Sequence, residues 1–176
     1  MAVTQQLARV APNYLVTCRR LADASPEGDP HWGPPTVDVL DLDWAPALLV
    51  GVGTWAGLDD VHLYALRLAT NGDSETALDL AFLNTPPHAI GPFGPAPTSL
   101  SAAQVARVAE LLGQIDMPSL VAGLPADGRA AASLIGHGAD LIVGGPGPYV
   151  LKHFEALRDF YRDAARRELV VVLWWD

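Results

Sequence analysis

The chain ends in FEALRDFYRDAARRELVVVLWWD (154–176), and no other stretch limits the fold as strongly. Leu169–Trp175 is seven residues long, wholly apolar, and shows no polar alternation. Such a run suits a strand covered on both faces, near the middle of a sheet. Burying its side chains at about 1.5–3 kcal/mol each rivals the net stability of a whole domain. Upstream, Val150, Phe154, Leu157, Tyr161, Ala164 and Ala165 fall on one face of a helical wheel. The charges lie off that face and alternate in sign. The spacing pairs Glu155 with Arg158, Asp159 with Arg162, and Asp163 with Arg166 and Arg167. A nucleic-acid-binding helix presents unpaired positive charge to phosphates, and this one does not. The segment therefore predicts a helix and a strand that complete a core, with no nucleic-acid partner.

A chain of 176 residues fits one domain, 1–176, and no linker separates two halves that could each hold a core. The seven-residue run is far below the roughly 20 needed to cross a bilayer, so no membrane span is expected. The opening MAVTQQLARVAPNYL lacks the basic-then-apolar layout of a signal peptide. Cys18 is the sole cysteine, which fits a reducing compartment and excludes a thiol-rich metal cluster. The expectation is a cytoplasmic protein. Net charge is −9, and the interval between Arg20 and Arg67 holds eight acids and no lysine or arginine. A field of that sign repels phosphate and attracts cationic surfaces.

Along the chain, Val3–Val10 reads as a first strand, and Pro12 suits the first turn of a helix carrying Leu15, Cys18, Leu21 and Ala22. SPEGDPHWGPP (25–35) is a loop that Trp32 plugs onto the body. Asp41–Val50 reads as a short helix, which GVGTWAG (51–57) ends as a connector. Val61–Leu68 and Thr76–Leu83 read as strands of a hairpin, with Asn71-Gly72 in the turn between them. Pro86–Pro97 is a loop. Ser101 and Gln104 form a capping box, Leu100 and Val105 a hydrophobic staple, and Gly113 stops that helix. A further helix covers Arg129–Ile135, and Pro148 begins the last one after GGPGP (144–148). Together these predict an α+β domain: a mixed sheet with helices packed on it, then a long C-terminal helix followed by a buried strand.

Several phrases carry a family resemblance. Arg9-Val10-Ala11-Pro12, Asp41-Leu42-Asp43, Gly94-Pro95-Ala96, Leu100-Ser101 with Val105, and above all Phe154 to Ala165 (FEALRDFYRDAA) recur in order across nearly the whole chain. In these the chain resembles the YfbM-like family, small bacterial proteins of unknown function. The resemblance implies an α+β domain with helices on a mixed sheet, and supplies no reaction. Two departures bear on any shared chemistry. Trp44-Ala45-Pro46 stands where the family has a Trp-His pair, and Pro97 where it has an arginine.

Catalytic motifs are missing. GVGTWAG is one residue off the dinucleotide fingerprint and follows a helix-like segment, and the prolines of GGPGP remove amides that a phosphate loop uses. The five histidines show no metal-binding spacing, so neither metal nor cofactor is expected. His62 and Tyr64, sharing a face of the predicted strand beside Asp59 or Asp60, are an acid/base candidate set against a plain surface pair. Two function classes follow. The first is a non-enzymatic, immunity-like binding protein that meets a basic protein partner through Asp38, Asp41, Asp43, Trp44, Trp55, Asp59 and Asp60, because aromatics amid carboxylates make interface anchors. Core packing of the same tryptophans is the competing reading. The second is an enzyme or small-ligand binder with a cleft between loops 51–60 and 86–97, using Thr54, His62 and His88 beside Trp55. The first is favoured.

Overall fold

A computed structural model of the chain describes residues 3–73, 78–92 and 94–176. Its central pairing joins the first and last strands. β1 (Gln5–Val10) and β4 (Val170–Trp175) run antiparallel in unbroken register from Gln5↔Trp175 to Val10↔Val170. β2 (Val39–Asp43) adds to β1 and β3 (Thr98–Leu100) adds to β4, giving the order β2-β1-β4-β3. The terminal apolar run is an interior strand, as its lack of alternation predicts. Val171 and Leu173 enter one core cluster, while Val170, Val172 and Trp174 enter the other. Trp175, at the strand's end, is only half-buried.

Helices cover the two faces unequally. α1 (Pro12–Ala24) lies on one face and turns Leu15, Cys18 and Ala22 inward. There Trp32 packs between Tyr14 and Trp174, with ring centroids 5.7 Å and 6.0 Å away. The other face carries α2 (Ala45–Trp55), α3 (Asp60–Asn71), α4 (Ala102–Leu112), α5 (Met117–Ala122), α6 (Gly128–Ile135) and α7 (Pro146–Arg166). α7 is the longest. Its Val150, Phe154, Leu157, Tyr161 and Ala164 are fully buried, and the Tyr161 hydroxyl donates to the Ala69 carbonyl of α3 at 2.9 Å. The capping box at the start of α4 forms in both directions.

Several expectations are corrected. Val61–Leu68 is helix, not strand. Asp59 caps α3 by accepting from the Val61 and His62 amides, and the inward residues Leu63, Leu66, Ala69 and Thr70 keep helical spacing. Asn71-Gly72 then serves as a helix stop. Gly72 has φ 69°, and a Cβ there would clash with the Thr98 side chain, so only glycine fits. Of the partner strand, 74–77 lie outside the described residues, and Ala81–Leu83 is a 3₁₀ turn. Asp41–Asp43 ends β2 and does not open a helix; α2 starts at Ala45 and runs through GVGTW. α7 begins at Pro146, two residues before Pro148. Every strand pairing is antiparallel, where a mixed sheet was expected.

At the end of the sheet where α7 finishes, charges replace apolar packing. Asp38, in a 3₁₀ turn before β2, accepts from Arg9 Nε at 2.9 Å and from Arg167 Nη1 and Nη2 at 2.6 and 3.1 Å. Arg9 also donates to the Phe160 and Val37 carbonyls and lies 4.9 Å over the Phe160 ring. Asp163 meets Arg9 at 3.2 Å and Arg167 at 3.0 Å. On the rest of α7, Asp159 pairs with Arg162 as spaced, while Arg158 sits 3.5 Å from Asp159 and not beside Glu155. The cluster ties β1, β2 and the end of α7 together, and Asp38 is buried within it.

The Arg167 hydrogen bonds, then Arg9, hold the Asp38 carboxyl below its ordinary pKa despite burial. Its folded pKa is thus lower than its unfolded one. The stabilisation is complete above the unfolded value of about 3.9 and is lost as pH falls through the folded value. Asp38→Ala strands a buried guanidinium. It is expected to cost about 3 kcal/mol in urea unfolding at neutral pH, and to flatten the acid limb of the stability curve below pH ~4.

Candidate functional site

At the opposite end of β2 the chain makes a turn that concentrates polar groups. Asp43 has φ 53°, a left-handed conformation that Asp tolerates better than most side chains. The Asp41 carboxylate fixes the approach by accepting from the Asp43 amide at 2.8 Å. Tyr149, in the first turn of α7, holds the turn from the other side. Its hydroxyl donates to Asp43 Oδ2 at 2.9 Å and accepts from the Trp44 amide at 3.2 Å. The Trp44 indole donates to the Val3 carbonyl at 3.0 Å, yet the residue remains 45% exposed. An aromatic surface is therefore pinned in place beside the carboxylates of Asp41 and Asp43.

One turn further along α7, His153 packs its ring on Tyr149 with centroids 4.4 Å apart. It is 8% exposed, and neither ring nitrogen makes a hydrogen bond among the described residues. Burial, then Lys152, lowers its pKa, with Asp43 and Asp41 pulling the other way, so it is neutral at physiological pH. Burial and the Asp43 hydrogen bond push Tyr149 up to about 12. A phenol so placed stays protonated at neutral pH and positions Asp43; it is no base. Among the described residues no group of three or more His, Cys, Asp or Glu could hold a metal ion. The arrangement suits recognition of a cation, which a carboxylate pair and an indole face both attract.

The other residues singled out from sequence lie elsewhere. Asp38 is turned inward to Arg9 and Arg167. Trp55 ends α2, whose eleven residues span about 16 Å from Trp44, and Asp59 and Asp60 lie beyond it. Trp55 packs against Gly123, where an added Cβ would come within 3.1 Å of the ring. Asp59 and His62 do pair, at 2.7 Å, and His62 Nε2 lies 3.1 Å from Gln114 Oε1. The Asp59 contact raises the His62 pKa. Since α3 is helical, His62 and Tyr64 no longer share a face, and the pair is a helix cap. Thr54 bonds back to the Val50 carbonyl. His88 lies 3.8 Å from Glu27 and 3.9 Å from Asp29, in the loop after α1 on the opposite face of the sheet from His62. The structure does not bring Thr54, His62 and His88 into one cleft.

Sequence reading missed Tyr149 and His153. The signal was present, as an i,i+4 aromatic–histidine pair just after a proline, but starting the helix at Pro148 hid the facing of Tyr149. The turn has a direct test. Asp43→Ala is expected to destabilise by about 1–2 kcal/mol more than Asp43→Asn in urea unfolding, because Asn tolerates the left-handed backbone and still accepts from Tyr149. Tyr149→Phe is expected to cost about 1 kcal/mol.

No protein-family model and no curated protein matches the sequence. Among solved structures, the crystal structure of YfbM from Escherichia coli, a protein of unknown function, matches over 97% of this chain and 98% of its own. The TM-score is 0.53 at 15% identity, so the likeness is one of fold. Helices on a four-stranded antiparallel sheet, ending in a buried C-terminal strand, make this chain YfbM-like in structure.

Proposed function

We propose that this chain is a non-enzymatic binding protein that meets a basic protein partner at the Asp41–Asp43–Trp44 turn. The observation that carries the reading is Trp44, an indole left half-exposed although both its amide and its ring nitrogen are tied to the fold. Exposed aromatics held rigid lose little entropy on binding and anchor interfaces. Asp41 and Asp43 flank it with the charge that selects a lysine or arginine of the partner, and the −9 net charge steers such a partner toward the protein. In this reading the chain works in the cytoplasm, where Cys18 stays a buried free thiol, and masks its partner in the manner of an immunity protein. Asp59, Asp60 and Trp55 belong at most to the rim of such a surface. The placement of His62 and His88 on opposite faces of the sheet gives the small-ligand cleft no comparable support.

The test is binding of a fluorescent hexa-arginine peptide, followed by anisotropy across a salt series. Asp41→Lys and Trp44→Ala, both at exposed positions, are each expected to weaken binding at least tenfold at low salt, and the wild-type affinity is expected to fall steeply with salt. Equal affinity in both variants, or an affinity indifferent to salt, overturns the reading.

A further inference from the structure

A cavity of about 400 Å³ opens between the start of α1 and the α7–β4 turn, within the usual ~300–1,000 Å³ of small-ligand sites. Arg9, Tyr14, Pro35, Asp38, Arg167 and Leu169 are among its lining residues. On a chain of net charge −9, this lining holds two arginines and one acid.

The hydrogen-bond inventory of Arg167 is what makes the cavity more than a gap. A guanidinium has five N–H groups. Nη1 donates to Asp38 Oδ1 and to Asp163 Oδ2, and Nη2 donates once, to Asp38 Oδ2. Asp38 therefore takes the end-on edge of the guanidinium. The second Nη2 hydrogen and the Nε hydrogen make no bond among the described residues. Those two form the side-on fork that matches the two oxygens of a carboxylate. The Arg167 side chain is 41% exposed and lines the cavity. Arg9, by contrast, is 11% exposed and spends its donors on Asp38, Val37 and Phe160, so it supplies charge and not a handle.

We infer that this cavity binds a small organic monocarboxylate, its carboxylate on the side-on fork of Arg167 and its apolar body against Tyr14, Pro35 and Leu169. Asp38 and Asp163 already balance Arg9 and Arg167, so the neighbouring carboxylates disfavour a multiply charged phosphate, and the planar fork suits a monoanion. This site is independent of the Trp44 turn, and neither proposal needs the other.

The experiment is an amide NMR titration of the whole chain with benzoate, with benzyl alcohol as the neutral analogue and inorganic phosphate as the competing anion. Benzoate is expected to shift the Tyr14 and Leu169 amides saturably, with an affinity at least tenfold above that of either control. Arg167→Lys keeps the charge but removes the fork, and is expected to weaken benzoate at least tenfold. Because that variant also touches the Asp38 cluster, Thr17→Trp provides a second check. It fills the cavity from α1, where Thr17 lines it, and is expected to abolish the shifts while leaving the melting temperature near wild type. No saturable shift at those amides, equal binding of benzyl alcohol or phosphate, or undiminished benzoate binding in a folded Arg167→Lys or Thr17→Trp protein overturns the assignment.

Discussion

The fold depends on the antiparallel pairing of β1 with β4, which joins residues 5–10 to residues 170–175 in the middle of the sheet. β2 reaches the sheet only through β1, and β3 only through β4. The cost of closing so long a loop grows only logarithmically with its length, but it must be met before the pairing returns anything. What returns it is the unbroken apolar run of β4, buried on both faces. The sheet therefore cannot assemble until nearly the whole chain is present.

α7 adds two separate polar clusters to that pairing. Its first turn carries Tyr149 to the Asp43 end of β2, and its last carries Asp163 and Arg167 to the Asp38 end. The helix runs antiparallel to β2, so each end of this edge strand receives a different chemistry. One end is a carboxylate turn steadied by a phenol, the other a carboxylate enclosed by guanidinium groups. Sequence order hides this division, because Asp38, Asp41 and Asp43 look like one acidic run. The backbone separates them, with Asp38 buried and neutralised and Asp41 facing solvent.

The elements read correctly from sequence are those with a single physical interpretation. The apolar run of β4, the capping box of α4 and the apolar face of α7 each satisfy one period and no other. Misreading came where two periods fit the same letters. VHLYALRL (61–68) alternates well enough for a strand, but its inward residues also follow a helical stripe, and Asp59 decides the matter by capping the amides of Val61 and His62. Asn71-Gly72 suits a hairpin or a helix stop equally, since both use a positive φ. Asp41-Leu42-Asp43 looked like the acidic start of a helix because nothing local shows that the three residues finish a strand whose last residue, Asp43, turns left-handed. The long-range partners of Tyr149 and Arg167 were unreadable for a different reason. These partners, Asp43 and Asp38, are 106 and 129 residues away, and no local pattern encodes contacts at such separations.

The two ends of α7 also differ in what they leave unsatisfied. At the Asp38 end, Arg9 has its bonds on protein atoms, so it is structural; Arg167 retains a donor edge, so it can serve a ligand. At the Asp43 end, the Tyr149 hydroxyl is used in both directions and serves only to hold the turn, while the indole face of Trp44 and the carboxylate of Asp41 remain toward solvent. From residue 149 to residue 167 the helical rise is about 27 Å. That is several Debye lengths at physiological salt, so charges at one end are screened from the other. Substitutions at the two ends should therefore combine additively, each acting through its own contacts.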